Sequence, residues 1–88
     1  MKYSVNKDNA VWRILDGEAV IINNQTSFYY ALNKAGTYIW QLLLDNELTL
    51  EEIVKRVSAY YQKEEEEIID DIKQVLSDLD KEQLIDRR

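Results

Sequence analysis

The run Val11-Trp12-Arg13-Ile14-Leu15-Asp16-Gly17-Glu18-Ala19-Val20-Ile21-Ile22 decides how the chain begins to fold. Its two halves are rich in β-branched and aliphatic residues. Asp16-Gly17 between them supplies the two positive-φ positions of a type I′ hairpin. A two-residue loop also fixes the register, with Leu15 opposite Glu18, Ile14 opposite Ala19 and Trp12 opposite Ile21. Trp12, Ile14, Ala19 and Ile21 then share one wholly apolar face. The other face carries Arg13 and Glu18 beside Leu15, Val20 and Ile22. It is only partly polar, which leaves room for something to cover part of it.

Downstream, Asn23-Asn24-Gln25-Thr26 reads as a turn. Ser27–Leu32, with Phe28, Tyr29 and Tyr30, reads as a third strand. Phe28, Tyr30 and Leu32 point one way; Ser27, Tyr29 and Ala31 point the other. No further strand is expected downstream, so this strand falls at a sheet edge. From Asn33, a good N-cap, the period becomes helical. Ala35, Ile39, Leu42 and Leu43 form a stripe with Trp40 beside it, and the helix is expected to end near Leu44. Gly36 costs its first turn about 1 kcal/mol against alanine, which points to close approach of another backbone or a bulky ring. Thr49-Leu50-Glu51-Glu52 is a capping box. It opens a second helix that buries Leu50, Ile53, Val54, Val57 and Tyr61. A third helix begins near Glu65, where acids suit the positive end of the dipole. Its wide apolar stripe runs through Ile68, Ile69, Ile72, Val75, Leu76 and Leu79, and Leu84-Ile85 tucks back as a short tail. The expected fold is α+β and winged helix-turn-helix-like: one domain over 1–88, a three-stranded antiparallel sheet followed by three helices, with residues 1–9 and 86–88 flexible.

Composition narrows the chemistry. The 88 residues hold 17 acids and 11 bases, a formal net charge of −6, and no histidine, cysteine or proline. Disulfides, thiolate sites, thiol nucleophiles and the usual zinc ligand and neutral-pH base are all removed. No nucleophile-elbow, P-loop or dinucleotide-binding pattern occurs. The pairs Glu66/Asp70 and Glu67/Asp71 lack the glycine and loop spacing of a calcium site. No metal, no cofactor and no catalysis are expected. No apolar run approaches membrane-spanning length, and the N-terminus lacks a signal-peptide apolar region; the expectation is a cytoplasmic domain with no membrane partner.

The charge is uneven. Residues 1–44 carry three acids and four bases, whereas residues 45–88 carry fourteen acids and seven bases. An acidic helical half repels a phosphate backbone. Glu51 and Glu52 also open the helix that would enter a DNA groove, so a winged-helix DNA-binding regulator is the weaker alternative and no nucleic-acid partner is expected. The edge strand offers another use. Its unpaired N–H and C=O groups can accept a peptide as an added strand, and no proline or charge within Ser27–Leu32 blocks pairing. Periodicity fits ordinary half-exposed strand residues equally well. A dimer formed by edge self-pairing is the third possibility; a monomer is expected.

Val11-Trp12-Arg13, Glu18–Ile22, Phe28–Asn33, Gly36, Ile39-Trp40 and Thr49–Ile53 occur in that order, closed by Leu79 and Leu84-Ile85. In this the chain resembles the PqqD-like family, the leader-recognition domains of ribosomally made, post-translationally modified peptide pathways. The resemblance covers residues 10–86. It implies a non-catalytic protein that binds the leader of a precursor peptide as a strand antiparallel to strand three, beside helix three. It also implies delivery to a separate processing enzyme: a leader peptidase of a lasso-peptide pathway by preference, a radical S-adenosylmethionine enzyme second. Carried onto this chain, the strand positions are Ser27, Phe28, Tyr29, Tyr30 and Ala31, and the helix wall is Ile69, Ile72, Lys73 and Leu76. The acidic start of helix three departs from the family's pattern and bears on the charge preferred in the leader.

Overall fold

The computed structural model describes residues 1–88. Its elements are β1 (Tyr3–Val5), β2 (Ala10–Leu15), β3 (Glu18–Asn23), β4 (Tyr29–Ala31), α1 (Lys34–Asp45), α2 (Leu50–Tyr61), α3 (Glu65–Lys81) and β5 (Ile85–Arg87). The hairpin has the expected register, with Trp12 opposite Ile21 and Leu15 opposite Glu18. Asp16 and Gly17 take φ values of 54° and 77°, as a type I′ turn requires. β4 adds to β3 antiparallel and completes a sheet of order β2-β3-β4. The fold is thus α+β, a three-stranded antiparallel sheet with three helices.

Burial follows from the alternation of the strands. Ala19 and Ile21 are fully enclosed, and Trp12, Ile14 and Tyr30 are partly buried against the same core. α1 crosses this inner face. Trp40 lies at its centre and meets Trp12 edge to face, with ring centroids 5.8 Å apart. The stripe of α1 is turned slightly from expectation: Ala35 is exposed, while Gly36 and Thr37 are buried with Ile39, Trp40 and Leu43. Thr37 earns that position by hydrogen bonding. Its Oγ1 accepts the Ala19 N–H at 2.8 Å and donates to the Leu32 carbonyl, closing the end of the β3–β4 ladder. Gly36 is explained by a side chain and not by a backbone or ring, because a Cβ there would lie 2.9 Å from Leu32 Cδ2.

The helix starts follow their sequence signals. Asn33 Oδ1 accepts the Gly36 N–H at 2.9 Å. Thr49 and Glu52 bond reciprocally as a capping box. That bond from the Thr49 backbone, more than the nearby Lys2 and Arg56 charges, holds the Glu52 carboxyl below its ordinary range.

The chain ends, expected to be flexible over 1–9 and 86–88, each carry a three-residue strand. Tyr3–Val5 pairs with Ile85–Arg87 as a separate two-stranded sheet. Val5, Leu84 and Ile85 are buried, and Tyr3 also bridges to Leu48. β1 lies against α1 and β5 against α3. Burying three apolar residues offsets the ordering of so short a pair of strands, and Arg87 reaches Asp80 at 3.2 Å. No helix is long and apolar enough to cross a membrane.

Candidate peptide-binding edge

β4 is shorter than the expected strand Ser27–Leu32. Ser27 has φ 62°, in the left-handed region, and Thr26 Oγ1 accepts the Phe28 N–H at 3.2 Å. Both belong to the turn. Asn23 organises that turn from inside: its Oδ1 accepts the Gln25 and Thr26 N–H groups, and its Nδ2 donates to the Glu82 carbonyl at 2.8 Å. Asn23 is therefore a buried polar residue that ties the turn to the end of α3, where the sequence reading has a surface turn residue.

The free edge is defined by hydrogen-bond alternation. The Phe28 carbonyl accepts from Asn23, and the Leu32 N–H donates to Ala19. Tyr30 lies opposite Ile21 between them. In an antiparallel ladder this parity turns Tyr30 inward to β3 and turns the N–H and C=O of Tyr29 and Ala31 outward. Side chains obey the opposite constraint: Tyr30 leans toward the core, whereas the Tyr29 side chain is 65% exposed on the outer face. The open edge thus offers two N–H donors and two C=O acceptors, all on Tyr29 and Ala31.

Helix α3 stands beside this edge without closing on it. Its backbone packs against α2 and β5. What links it to β4 is a hydrogen bond from the Tyr30 hydroxyl to Asp78 Oδ2 at 3.0 Å. Burial, then the Asp78 carboxylate, pushes the Tyr30 phenol above its usual pKa, so this donor stays protonated throughout the neutral range. Asp78 Oδ1 accepts from Gln74 Nε2 at 2.9 Å. A cleft of about 560 Å³ opens between α1, α2 and α3, with Asn33, two residues past β4, among its lining residues. Its apolar lining comes from Ile39, Val57, Ile68, Ile72 and Val75, and its charged lining from Lys63 and Asp71.

The residues named for the helix wall separate in space. Ile72 reaches the cleft but is 3% exposed and mainly core. Leu76 is equally buried, and with Lys73 it lines a different depression, beside Tyr3, Leu50 and Arg87. Ile69 lies on that same flank, four residues before Lys73 and seven before Leu76, half-buried against the core. The flank toward the edge is instead Asp71, Gln74, Val75 and Asp78. Of the strand residues, Tyr29, Tyr30 and Ala31 lie on β4, Phe28 stacks on Tyr30 at 6.4 Å, and Ser27 is in the turn. A helical stripe has two flanks, and periodicity does not say which one meets a given strand. The missed signal is the polar series Asp71, Gln74, Asp78 at helical spacing.

A short open strand edge beside a helix and a cleft marks this small α+β domain, and known proteins share its fold. The family model described as Coenzyme PQQ synthesis protein D (PqqD) matches residues 18–85, and the chain belongs to that family. Among solved structures it is similar to TbiB1, determined in complex with the TbiA(beta) leader peptide. The two agree with a TM-score of 0.83 and 28% sequence identity over 97% of this chain and 96% of that one. No curated protein matches the sequence at a significant level.

Proposed function

We propose that this protein is a non-catalytic recognition element for the leader segment of a ribosomally made precursor peptide. The observation that carries the reading is the outward pair of N–H and C=O groups on Tyr29 and Ala31, on a strand tied to α3 by the Tyr30–Asp78 bond and followed directly by the cleft residues Asn33, Ala35 and Gly36. A leader adds there as a fourth strand: main-chain bonds hold it and the cleft selects its side chains. Tyr29, Tyr30 and Ala31 are the strand residues of the site. Val75, Gln74, Asp71 and the exposed rim of Ile72 are its helix wall, with Ile39, Val57 and Ile68 below. The similarity to a protein solved with a leader peptide supports leader binding by this fold.

The bound leader is handed to a separate processing enzyme, a leader peptidase of a lasso-peptide pathway by preference and a radical S-adenosylmethionine enzyme second. The protein acts by raising the concentration of precursor at that enzyme, as a monomer in the cytoplasm. The test is affinity capture by the full 88-residue chain from cells that carry it, with sequencing of the captured peptide and calorimetric titration of its N-terminal segment. One-to-one binding at micromolar affinity or tighter is expected, with binding confined to the leader part. Binding confined to the core part, or no saturable binding, would overturn the reading.

A further inference from the structure

We infer that the segment taken by this cleft carries a basic side chain, lysine or arginine, that pairs with Asp71. The inference rests on the reading of the β4 edge as a peptide site and adds the chemistry of what binds. A strand added to β4 lies about 4.8 Å beyond it, and its alternate side chains turn to the inner face. On that face Tyr30 already reaches Asp78 of α3, whose flank continues through Gln74 and Val75 to Asp71.

The two carboxylates on this flank differ in what they already hold. Asp78 has a partner on each oxygen, Tyr30 on Oδ2 and Gln74 on Oδ1. Asp71 accepts no side-chain hydrogen bond, and neither of the protein's ion pairs includes it. It lies seven residues before Asp78, about 10 Å along the helix axis, where the cleft is lined by Ile68, Ile72 and Val75. While the cleft is open, water solvates Asp71. A peptide lying over it removes that water, and a covered carboxylate without a partner is costly. A basic side chain opposite Asp71 removes the penalty, whereas an acidic one doubles it.

The surroundings point the same way. Lys63 is the only cation lining the cleft and forms no ion pair with Asp71. Against it stand Glu64, Glu65, Glu66, Glu67 and Asp70 at the start of α3. The helix N-terminus supplies about half a positive charge, so the five acids outweigh it and Lys63 around the start of α3 and favour approach of a cationic segment there. Tyr61, from α2, adds a neutral aromatic rim.

The test is selection from a display library of randomised 15-residue peptides against three forms of the full chain: wild type, Asp71→Asn and Tyr29→Pro. Wild type is expected to enrich peptides with lysine or arginine at a fixed spacing from an apolar residue. Asp71→Asn is expected to keep the apolar enrichment and lose the basic one. Replacing the enriched base by glutamine in one selected peptide should weaken wild-type binding about threefold, in the range of a partly exposed ion pair, and leave Asp71→Asn binding unchanged. Neutral or acidic enrichment by wild type, or basic enrichment persisting in Asp71→Asn, would overturn the assignment while leaving the peptide site standing. Failure of wild type to enrich any peptide, or the same enrichment by a folded Tyr29→Pro, would overturn the peptide site at this edge and the assignment with it.

Discussion

Helix α3 has two flanks that the chain treats in opposite ways. On one, Lys73 and Leu76 share a shallow depression with Tyr3 of β1, Leu50 of α2 and Arg87 of β5, so the two chain ends and a neighbouring helix flank it. On the other, Asp71, Gln74 and Val75 face a cleft, and a single Tyr30–Asp78 hydrogen bond spans to the strand. The first flank is apolar where it is covered. The open flank sets Asp71 and Gln74 beside Val75, over an apolar floor of Ile39, Val57, Ile68 and Ile72. The paired termini pack against one side of the last helix, and the other side opens on the larger cleft.

The contrast can be broken from either side. The largest expected effect is on the flank beside the termini: Leu76→Ala should destabilise the fold by about 2–5 kcal/mol, read by denaturant unfolding, because it leaves a cavity at a buried site. Peptide affinity of the folded fraction should not change. Next, Val5→Ala should cost about 1–3 kcal/mol by loosening the β1–β5 pair against the core; an unchanged unfolding midpoint would show that the termini do not brace the helix. A direct comparison of the flanks follows. Val75→Ser should lower peptide affinity severalfold, and Lys73→Ala should leave it unaltered, both by calorimetric titration. The reverse pattern would move the peptide to the other flank.

The smallest effect concerns the capping box that fixes α2. The Glu52 carboxyl is held below its ordinary range, chiefly by the Thr49 backbone bond. A depressed carboxylate stabilises the fold above its unfolded pKa and loses that contribution as pH falls through the folded value. Wild type should therefore exceed Glu52→Ala in stability at neutral pH, and the difference should shrink as pH falls below the ordinary glutamate range. A difference independent of pH would contradict the ionised capping bond.

Legibility in the sequence tracked the kind of signal each element carries. The β2–β3 hairpin was readable because Asp16-Gly17 and strict alternation specify turn and register together. α2 was readable from Thr49 and Glu52. The β1–β5 pair was not: three-residue strands have no measurable period, and their partners lie at opposite ends of the chain. Asn23 and Thr37 look like surface residues by type, and only their hydrogen-bond partners, distant in sequence, explain their burial. The edge strand was placed by its aromatic residues, but Ser27 left it through a left-handed backbone that side-chain pattern does not encode. Which flank of α3 lies toward the edge was not readable either: Ile69 and Leu76 extend the apolar stripe, while the flank that bonds Tyr30 through Asp78 is marked by polar residues.

The central claim is that a peptide backbone pairs with the outward groups of Tyr29 and Ala31. Its most direct test is titration of the captured leader against Tyr29→Pro and Tyr29→Ala. Proline removes an outward N–H but no bond to β3, because Tyr29 and Ile22 form a pair without ladder bonds. With folding checked by circular dichroism and thermal unfolding, the proline variant should lose at least about tenfold in affinity, while the alanine variant, which keeps the N–H, should lose far less. A folded Tyr29→Pro protein that binds the leader with wild-type affinity would contradict the account.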